Sequence, residues 1–439
     1  MNIRVRAATL IASLLQQRGS LKSLLPEALD GCEPRDRPLL RQLCYGTLRD
    51  LYRLDSIAGK LLKRPFREQD QDLRALLLIG LYQLRSLRIP AHAAVSETVD
   101  GAELLSKEWA GKLINAVLRR YQREQDKIES GLANDEAFRW NHPDWLIEKL
   151  KHNWPDHWQA ILAANDNQAP LTLRVNKRLL TREEALQQLS DAGIAATPGE
   201  FSAEAITLAE ARDTSEIPGF AEGRFSVQDE AAQLANLLLN AEKGDRVLDA
   251  CAAPGGKLCH LLEANPSLGE VVAVEMEPVR VERTRDNLER LKLSHECVLH
   301  LGDASAGDWW DGKPFDRILV DAPCSGTGVI RRNPDIKLLR RNEEILALAN
   351  LQLSILSNLW RMLKPGGRLV YATCSVFPQE NERIMQRFVK LHADAQAEPV
   401  PLACGIERPF GRQLFPVDGG HDGFFYAILT KQPDAGTDK

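Results

Sequence analysis

The sequence lacks the patterns that build zinc cages, disulfide frameworks and membrane helices. Its eight cysteines are scattered and form no Cys-x-x-Cys pair, and none of its nine histidines has metal-ligand spacing. No stretch approaches the roughly 20 apolar residues of a membrane helix. The first ten residues lack the apolar run of a signal peptide. We therefore expect a cytoplasmic, metal-free protein with reduced thiols and no membrane partner.

The length and the charge distribution set the next limits. A chain of 439 residues exceeds one ordinary domain, so two or three are expected. Residues 1–140 carry 23 Lys and Arg against 18 Asp and Glu, although the whole chain has a net charge of −5. A basic front on an acidic body suggests a docking surface for a polyanion. On charge alone, ordinary solvated surface is the better interpretation.

The first 140 residues have the spacing of an all-helical domain. Apolar residues recur every three or four positions within Ala7–Gln17, Leu39–Leu51, Asp72–Ser86 and Ala110–Tyr121. Proline-bearing breaks separate these segments, and Asn141-His142-Pro143 marks a junction, because a residue before proline disfavours helix. This pattern predicts a helical domain over 1–140.

Residues 141–223 have a mixed pattern that predicts a small α+β linker domain. Leu171–Val175 alternates like a strand, and Ala205–Leu208 is a second candidate strand. Thr181–Ala192 has helical spacing behind a Thr-x-x-Glu capping signal.

Short apolar runs alternate with helical stretches from 224 to 431, which predicts a parallel sheet with crossover helices. The runs are Arg246–Ala250, Val271–Glu275, Val298–Leu301, Arg317–Val320 and Arg368–Thr373, followed by Gly423–Leu429. We expect an α/β catalytic domain there, with 432–439 as a polar tail. His421–Phe425 is expected to open an edge strand.

A small-residue turn follows the first strand of this domain and leads into a helix. Glycines let the backbone approach a ligand, and the helix amino terminus offers free N–H groups. A tight structural turn is an equally good interpretation of the glycines alone. The candidate binding residues are Cys251, Ala252, Ala253, Pro254, Gly255, Gly256 and Lys257.

Acidic residues end the next two strands and favour a nucleoside ligand. Glu275 comes about 20 residues after the glycines, where a carboxylate contacts a ribose diol. Asp303 follows the third strand and is placed to reach an adenine amino group. Either residue alone could be a helix cap, but carboxylates in series at the carboxyl edge of a parallel sheet indicate a binding site.

The fourth and fifth strands end in cysteines flanked by small polar residues. Cys324 lies in Asp321-Ala322-Pro323-Cys324-Ser325-Gly326-Thr327-Gly328, and Cys374 lies in Ala372-Thr373-Cys374-Ser375. A single cysteine at a strand end is more often a small buried hydrophobe. Two such cysteines at the same edge of the sheet favour a catalytic role.

These motifs, with Asp-Ala-Cys-Ala-Ala-Pro-Gly-Gly-Lys at 249–257, resemble the signatures of the RNA 5-methylcytosine methyltransferases. The helical front, through Cys44–Arg49 and Ile114–Arg119, is similar to the NusB-like RNA-binding domain. Together they resemble the bacterial branch that methylates small-subunit (16S) ribosomal RNA. The resemblance implies a Rossmann-like methyltransferase domain, S-adenosylmethionine as cofactor and ribosomal RNA as partner.

The resemblance also implies roles for the site residues. Cys374 is the expected nucleophile toward C6 of the cytosine, and Cys324 is expected to assist product release. Asp321 would contact the base edge or the cofactor, and Lys257 would position one of them. Glu275 stands where an aspartate is expected, one methylene longer. The pair Arg331-Arg332 is expected to grip RNA phosphates.

Three alternatives remain open at the level of sequence. The same chemistry could act on transfer RNA or large-subunit RNA, or the chain could be an RNA-binding regulator without activity. In a DNA cytosine methyltransferase the nucleophile sits in a Pro-Cys motif, which Pro323-Cys324 matches. We expect a monomer, because no conspicuous oligomerisation stripe is present, and the target nucleotide is not indicated.

Overall fold

The computed structural model describes residues 2–433, so most of the predicted polar tail lies outside the described residues. The described chain forms two units. One comprises the residues up to Gln168 together with Ile330–Asn342, and the other comprises Ala169–Val329 and the residues from Glu343 onward. The predicted boundaries of three domains differ in detail from this division and stay predictions. No helix in residues 2–433 has both the length and the apolar character needed to cross a bilayer.

The first unit is helical, as the apolar spacing predicted. A central helix, α5, is buried on almost every side, which is typical of a helix surrounded by others. The other helices between Ile3 and Ser130 pack apolar faces into the same core. The ten helices are α1 (Ile3–Leu15), α2 (Leu21–Leu29), α3 (Arg37–Arg49), α4 (Leu51–Leu61), α5 (Gln71–Ser86), α6 (Ala91–Leu104), α7 (Gly111–Ser130), α8 (Glu136–Trp140), α9 (Asp144–Asn153) and α10 (Trp158–Asp166).

A segment from far along the chain completes this unit. Ile330–Asn342, with the short helix α15 (Ile336–Leu339), joins the helical unit although the sequence places it after the Cys324 loop. Lys337 is buried, and its Nζ donates to the carbonyls of Arg49 at 2.8 Å and Asn141 at 2.9 Å and to Asp166 Oδ1 at 2.7 Å. Burial lowers the pKa of Lys337, and the charge of Asp166 opposes that shift. This buried ammonium ties the segment to two helices.

The same segment corrects one expectation. Arg331 is only 1% exposed, so its guanidinium is not presented to solvent for RNA phosphates as predicted. Its carbonyl accepts a hydrogen bond from Arg49 Nη2 at 3.1 Å, within the helical unit. Burial of a long basic side chain depends on tertiary packing, which a pair of adjacent arginines does not reveal.

The second unit contains two sheets. The smaller one has the antiparallel order β2-β3-β1-β4 and packs against α11. Thr181 and Glu184 form the predicted capping box at the start of α11. Its elements are β1 (Leu171–Val175), α11 (Arg182–Asp191), β2 (Ala196–Pro198), β3 (Ala205–Leu208) and β4 (Phe225–Val227).

The larger sheet has the predicted parallel core. Its order is β11-β12-β13-β9-β8-β5-β6-β7, with β10 paired to β13, and the strands β5 to β9 run parallel. Its strands are β5 (Arg246–Ala250), β6 (Glu270–Glu275), β7 (Val298–Leu301), β8 (Phe315–Asp321), β9 (Leu363–Thr373), β10 (Ala395–Glu398), β11 (Ile406–Arg408), β12 (Gly411–Leu414) and β13 (Phe424–Lys431). The helices around it are α12 (Glu230–Leu239), α13 (Gly256–Ala264), α14 (Pro278–Arg290), α16 (Glu344–Met362) and α17 (Glu382–Leu391).

The last strand differs from its prediction. We expected His421–Phe425 to open an edge strand, but β13 lies inside the sheet, antiparallel to β9 on one side and to β12 and β10 on the other. The short strands β11 and β12 were not predicted, because three or four residues carry too little periodicity.

We predict that Lys337→Met destabilises the protein by about 3 kcal/mol, because it removes the buried ammonium that donates to Asp166 and to two carbonyls and leaves the charge of Asp166 less compensated. Urea denaturation followed by tryptophan fluorescence measures the change. The control is Lys112→Met on α7, an exposed lysine whose loss should change stability by less than about 0.5 kcal/mol. Equal effects of the two variants would contradict the anchoring role.

Candidate active site

The two predicted cysteines meet at the carboxyl edge of the larger sheet. Asp321 at the end of β8 pairs in register with Ala372 on β9, so the loops that follow start at the same height. Cys324 and Cys374 lie in those loops, and their Sγ atoms are 3.4 Å apart. The sheet therefore brings together two thiols that are 50 residues apart in sequence.

The surroundings of Cys324 disfavour its ionisation. The hydrogen-bonding contact with Cys374 and burial raise the pKa of Cys324 well above its usual value. A thiolate is the nucleophilic form of cysteine, so these surroundings weigh against Cys324 as the nucleophile.

Backbone hydrogen bonds hold the Cys324 loop against the Cys374 loop. The N–H of Gly328 donates to the carbonyl of Cys374 at 2.8 Å, and the N–H of Gly423 donates to the carbonyl of Gly328 at 2.9 Å. A Cβ at position 328 would lie 2.2 Å from the Gly423 oxygen and 2.9 Å from the Cys374 oxygen. Only glycine allows the Cys324 loop to lie this close to the Cys374 loop.

The predicted glycine turn follows β5 at the same edge. Gly255 has a φ of +94°, and a Cβ there would lie 3.1 Å from Thr284 Cγ2, so glycine is required. Helix α14 braces the turn, since Arg280 Nη2 donates to the carbonyl of Ala253 at 2.9 Å and Asn287 Nδ2 donates to that of Pro254 at 2.8 Å. The turn is thereby held in one conformation at the amino terminus of α13.

Lys257 and Asp321 connect the turn to the cysteine loops. Lys257 Nζ donates to Asp321 Oδ2 at 2.7 Å and lies 5.0 Å from the centroid of the Phe424 ring. Burial alone would lower the pKa of Lys257, but the charge of Asp321 and their hydrogen bond outweigh it, so the pKa is raised. Lys257 is therefore a fixed positive charge beside the cysteine pair, for which Cys374 contributes a further favourable interaction.

The two predicted ribose and adenine carboxylates stand at the same edge. Glu275 is 3% exposed, and its oxygens accept from the N–H groups of Ala253 at 3.3 Å, Met276 at 3.0 Å and Glu277 at 3.1 Å. Asp303 Oδ1 accepts from Ser305 N at 2.8 Å. Backbone donors thus orient Glu275 and couple it to the glycine turn.

Asp249, the second last residue of β5, is a candidate that the sequence analysis missed. Its side chain is fully buried, and neither carboxylate oxygen has a hydrogen-bond partner in the described protein. Burial, followed by the charge of Asp321, raises its pKa to about 8. A buried polar group without a partner is costly. Its position inside the motif 249–257 was a usable signal.

Arg174 is a second residue that the sequence did not indicate. Its buried guanidinium makes a bidentate pair with Glu263, at 3.0 Å for both contacts, and donates to Gln228 and to the carbonyl of Gly256 at 2.7 Å. Arg174 lies on β1 of the smaller sheet, whereas Glu263 and Gly256 belong to α13. This contact fixes the smaller sheet to the helix that begins at the glycine turn.

Within residues 2–433, no group of three or more His, Cys, Asp or Glu side chains is arranged to hold a metal ion. The candidate site is therefore described by the cysteine pair, the glycine turn and the carboxylates around them.

Three family models match successive parts of the chain. Residues 1–123 match the NusB family, and 142–215 match a ferredoxin-like domain of RsmF/B-like methyltransferases. Residues 236–430 match the family described as 16S rRNA methyltransferase RsmB/F. The three matches follow one another in the order of the predicted helical, linker and catalytic segments.

Curated relatives match over almost the whole length. Ribosomal RNA small subunit methyltransferase B of Pseudomonas putida is 50% identical over 431 residues, which cover 98% of this chain and 99% of that protein. The protein of the same name from Vibrio cholerae is 47% identical over 433 residues, 98% of each chain.

Solved structures share the fold. The crystal structure of PH0851 has a TM-score of 0.80 at 24% identity and covers 98% of this chain and 99% of that one. The crystal structure of NSun6 from Pyrococcus horikoshii with SFG has a TM-score of 0.60 at 20% identity, covering 66% of this chain and 99% of that one.

We predict that Asp249→Asn makes the ligand-free protein more stable at pH 8. The folded pKa of Asp249 is raised to about 8, so between pH 4 and 8 only the folded protein holds this proton. Wild-type stability therefore falls as the pH rises through that range, by up to roughly 1.4 kcal/mol per unit. Asparagine removes this dependence.

Urea denaturation at pH 5 and pH 8 measures the effect. The difference between Asp249→Asn and wild type should grow from pH 5 to pH 8. The exposed carboxylate of Asp308 provides the control, since Asp308→Asn should give the same difference at both pH values. A difference for Asp249→Asn that does not vary with pH would mean that Asp249 is ionised in the folded protein.

Proposed function

Because the chain belongs to the 16S rRNA methyltransferase RsmB/F family, we propose that Cys374 and Cys324 carry its methylation of a cytosine at C5. The protein is an S-adenosylmethionine-dependent methyltransferase of small-subunit (16S) ribosomal RNA. The observation that carries the mechanism is the 3.4 Å contact between the two Sγ atoms at the edge of the sheet.

Cytosine C5 needs a thiolate to become reactive. The aromatic ring makes C5 a poor nucleophile, and addition of the Cys374 thiolate to C6 breaks the conjugation and makes C5 enamine-like. When bound, S-adenosylmethionine would supply the methyl group from its sulfonium sulfur, and the electron pair of the broken S–CH3 bond would stay on S-adenosylhomocysteine. A base then removes the C5 proton, the C6–S bond breaks, and the electron pair restores the double bond.

The surroundings of the two cysteines favour this division of roles. Ionisation of Cys324 is disfavoured, so Cys324 would hold a proton 3.4 Å from Cys374 Sγ that can stabilise the departing thiolate during product release. Lys257 places a positive charge beside the pair, which favours a thiolate there. The Pro-Cys motif at Cys324 is the alternative nucleophile, but Cys324 is the thiol whose ionisation is disfavoured.

The residues around the glycine turn fit S-adenosylmethionine. Glu275 is oriented by three backbone donors and would accept from the ribose hydroxyls. Asp303 would accept from the adenine amino group. Asp249, buried without a partner, gives the site a further polar group for a ligand to satisfy. Asp321 would contact the base edge or the cofactor, and Lys257 orients it at 2.7 Å.

The substrate must present the cytosine outside a helix stack, because C6 and both ring faces are covered in a paired duplex. Transfer RNA and large-subunit RNA are disfavoured as substrates by the curated relatives, whose names specify the small ribosomal subunit. We also propose a monomer that acts in the cytoplasm. The free state of all eight cysteines suits that reducing compartment.

We predict that Cys324→Ala protein accumulates a covalent adduct with unmodified small-subunit ribosomal RNA in the presence of S-adenosylmethionine. Addition through Cys374 still occurs, whereas the release step loses its assisting thiol. A denaturing gel should show a slowly migrating protein–RNA band. Methylation turnover should fall by roughly 100-fold or more, the scale of a lost proton-transfer or nucleophilic group.

Two matched cysteine variants complete the test. Cys374→Ala should give neither an adduct nor methylation, because the nucleophile is missing. Cys297→Ala, a half-buried cysteine before β7, should behave as wild type. An adduct from Cys374→Ala but not from Cys324→Ala would reverse the assignment of roles.

A further inference from the structure

Glu380 is a buried carboxylate that binds both cysteine loops at once. Its Oε1 accepts from the N–H of Ser325 at 2.8 Å and from Gln352 Nε2 at 3.2 Å. Its Oε2 accepts from Ser325 Oγ at 2.6 Å and from Ser375 Oγ at 2.6 Å. Ser325 follows Cys324 and Ser375 follows Cys374, so one carboxylate connects the residues next to both thiols.

The Cys374 loop has further polar support. Asn381 donates through Nδ2 to the Ser375 carbonyl at 2.9 Å, and its Oδ1 accepts from Thr373 Oγ1 at 2.6 Å. Gln413 Nε2 donates to the same carbonyl at 3.1 Å. These amides fix the backbone that Glu380 then joins to the Cys324 loop.

The four hydrogen bonds to Glu380 come from a backbone N–H, two hydroxyls and an amide, all uncharged donors. Burying a carboxylate costs desolvation free energy, and these four donors offset part of that cost. A simple clamp between two loops needs no net charge, because a glutamine could make a similar set of contacts. The charge itself therefore calls for a separate role.

Glu380 and Lys257 act on different members of the cysteine pair, and Glu380 makes two of its hydrogen bonds with Ser325, the residue after Cys324. Glu380 interacts unfavourably with an ionised Cys324, whereas Lys257 interacts favourably with an ionised Cys374. A negative charge that acts on one thiol and a positive charge that acts on the other give the two thiols unequal tendencies to ionise. Other titratable groups that interact with the pair or with these two charges are Asp249, Asp321, Tyr371 and Tyr426.

We propose that Glu380 is a positioning residue of the methyltransferase: it holds the two cysteine loops in contact, and its charge keeps the proton on Cys324 so that Cys374 is the thiol that ionises. The inference rests on the proposed function and adds the residue that decides which cysteine becomes the nucleophile. Glu380 does this through the cysteines, without contact to substrate.

The test separates the charge of Glu380 from its hydrogen bonds. Glu380→Gln keeps the size and, with rotated hydroxyls, the hydrogen bonds, but removes the charge. Glu380→Asp keeps the charge and shortens the side chain. Iodoacetamide is applied to the RNA-free protein from pH 6 to pH 10, and mass spectrometry measures the alkylation rate of each cysteine.

In wild type, Cys374 should react at lower pH than Cys324. In Glu380→Gln the profile of Cys324 should move about one unit toward lower pH, which is roughly tenfold faster alkylation on its rising limb. Glu380→Asp should keep the wild-type order of the two cysteines. An unchanged Cys324 profile in folded Glu380→Gln would overturn the proposal, because a purely structural carboxylate leaves the order of ionisation as it was.

Two further variants guard against a general loss of folding. Glu230→Gln removes another buried carboxylate, which accepts from the N–H groups of Phe201 and Ser202, and should leave both cysteine profiles unchanged. If Glu380→Gln does not fold, Ser375→Ala serves in its place together with Glu380→Asp. Both variants keep the charge of Glu380, so in both of them Cys374 should still react at lower pH than Cys324. Loss of this order of reaction in either variant would overturn the proposal.

Turnover with small-subunit ribosomal RNA gives an independent reading. Glu380→Gln should lower kcat at least tenfold with a change in KM of less than threefold, because it affects the thiols and not RNA binding. If the wild-type protein does not methylate this RNA, the result counts against the proposed function alone, because alkylation of the RNA-free protein still tests the role of Glu380. Normal methylation in wild type with an unshifted Cys324 profile in Glu380→Gln would count against this inference alone.

Discussion

Parallel pairing of β8 with β9 is the constraint from which the rest of the site follows. The register of these strands brings two loops out of the sheet at the same height, and each loop carries a cysteine. A slip of one residue would turn the following side chains to the opposite face of the sheet. The glycine at 328 and the carboxylate of Glu380 then fix a separation that the strands alone leave approximate.

Two buried carboxylates that form no ion pair with any described residue lower the stability of this region. Asp249 has no hydrogen-bond partner among residues 2–433, and its pKa is raised by burial. In the same described part of the chain, Glu380 accepts hydrogen bonds from uncharged donors. Such groups cost free energy in the folded protein and are typical of sites whose chemistry needs them. Lys337 shows the contrasting solution in the helical unit, where a carboxylate and two carbonyls surround a buried charge.

The sequence predicted most of the elements and indicated which motifs would meet at one edge of the sheet, because both leave strong local patterns. Amphipathic spacing located the helices around α5, and short apolar runs located β5, β6 and β9. The motif at 249–257 and the two cysteine motifs indicated the residues that the sheet brings together. The errors lie where packing overrides pattern: Arg331 is buried, and β13 is interior to the sheet instead of at its edge.

The sequence by itself determined the helical front, the parallel α/β sheet, the glycine turn and the pair of strand-end cysteines, since periodicity and short motifs are local properties. Only the tertiary structure decided that Glu380 joins the cysteine loops, that Arg174 reaches the helix of the glycine turn, and that Ile330–Asn342 belongs to the helical unit. Each of these depends on which side chains become neighbours after distant segments pack. Burial and charge at such contacts are collective quantities, and no single stretch of sequence specifies them.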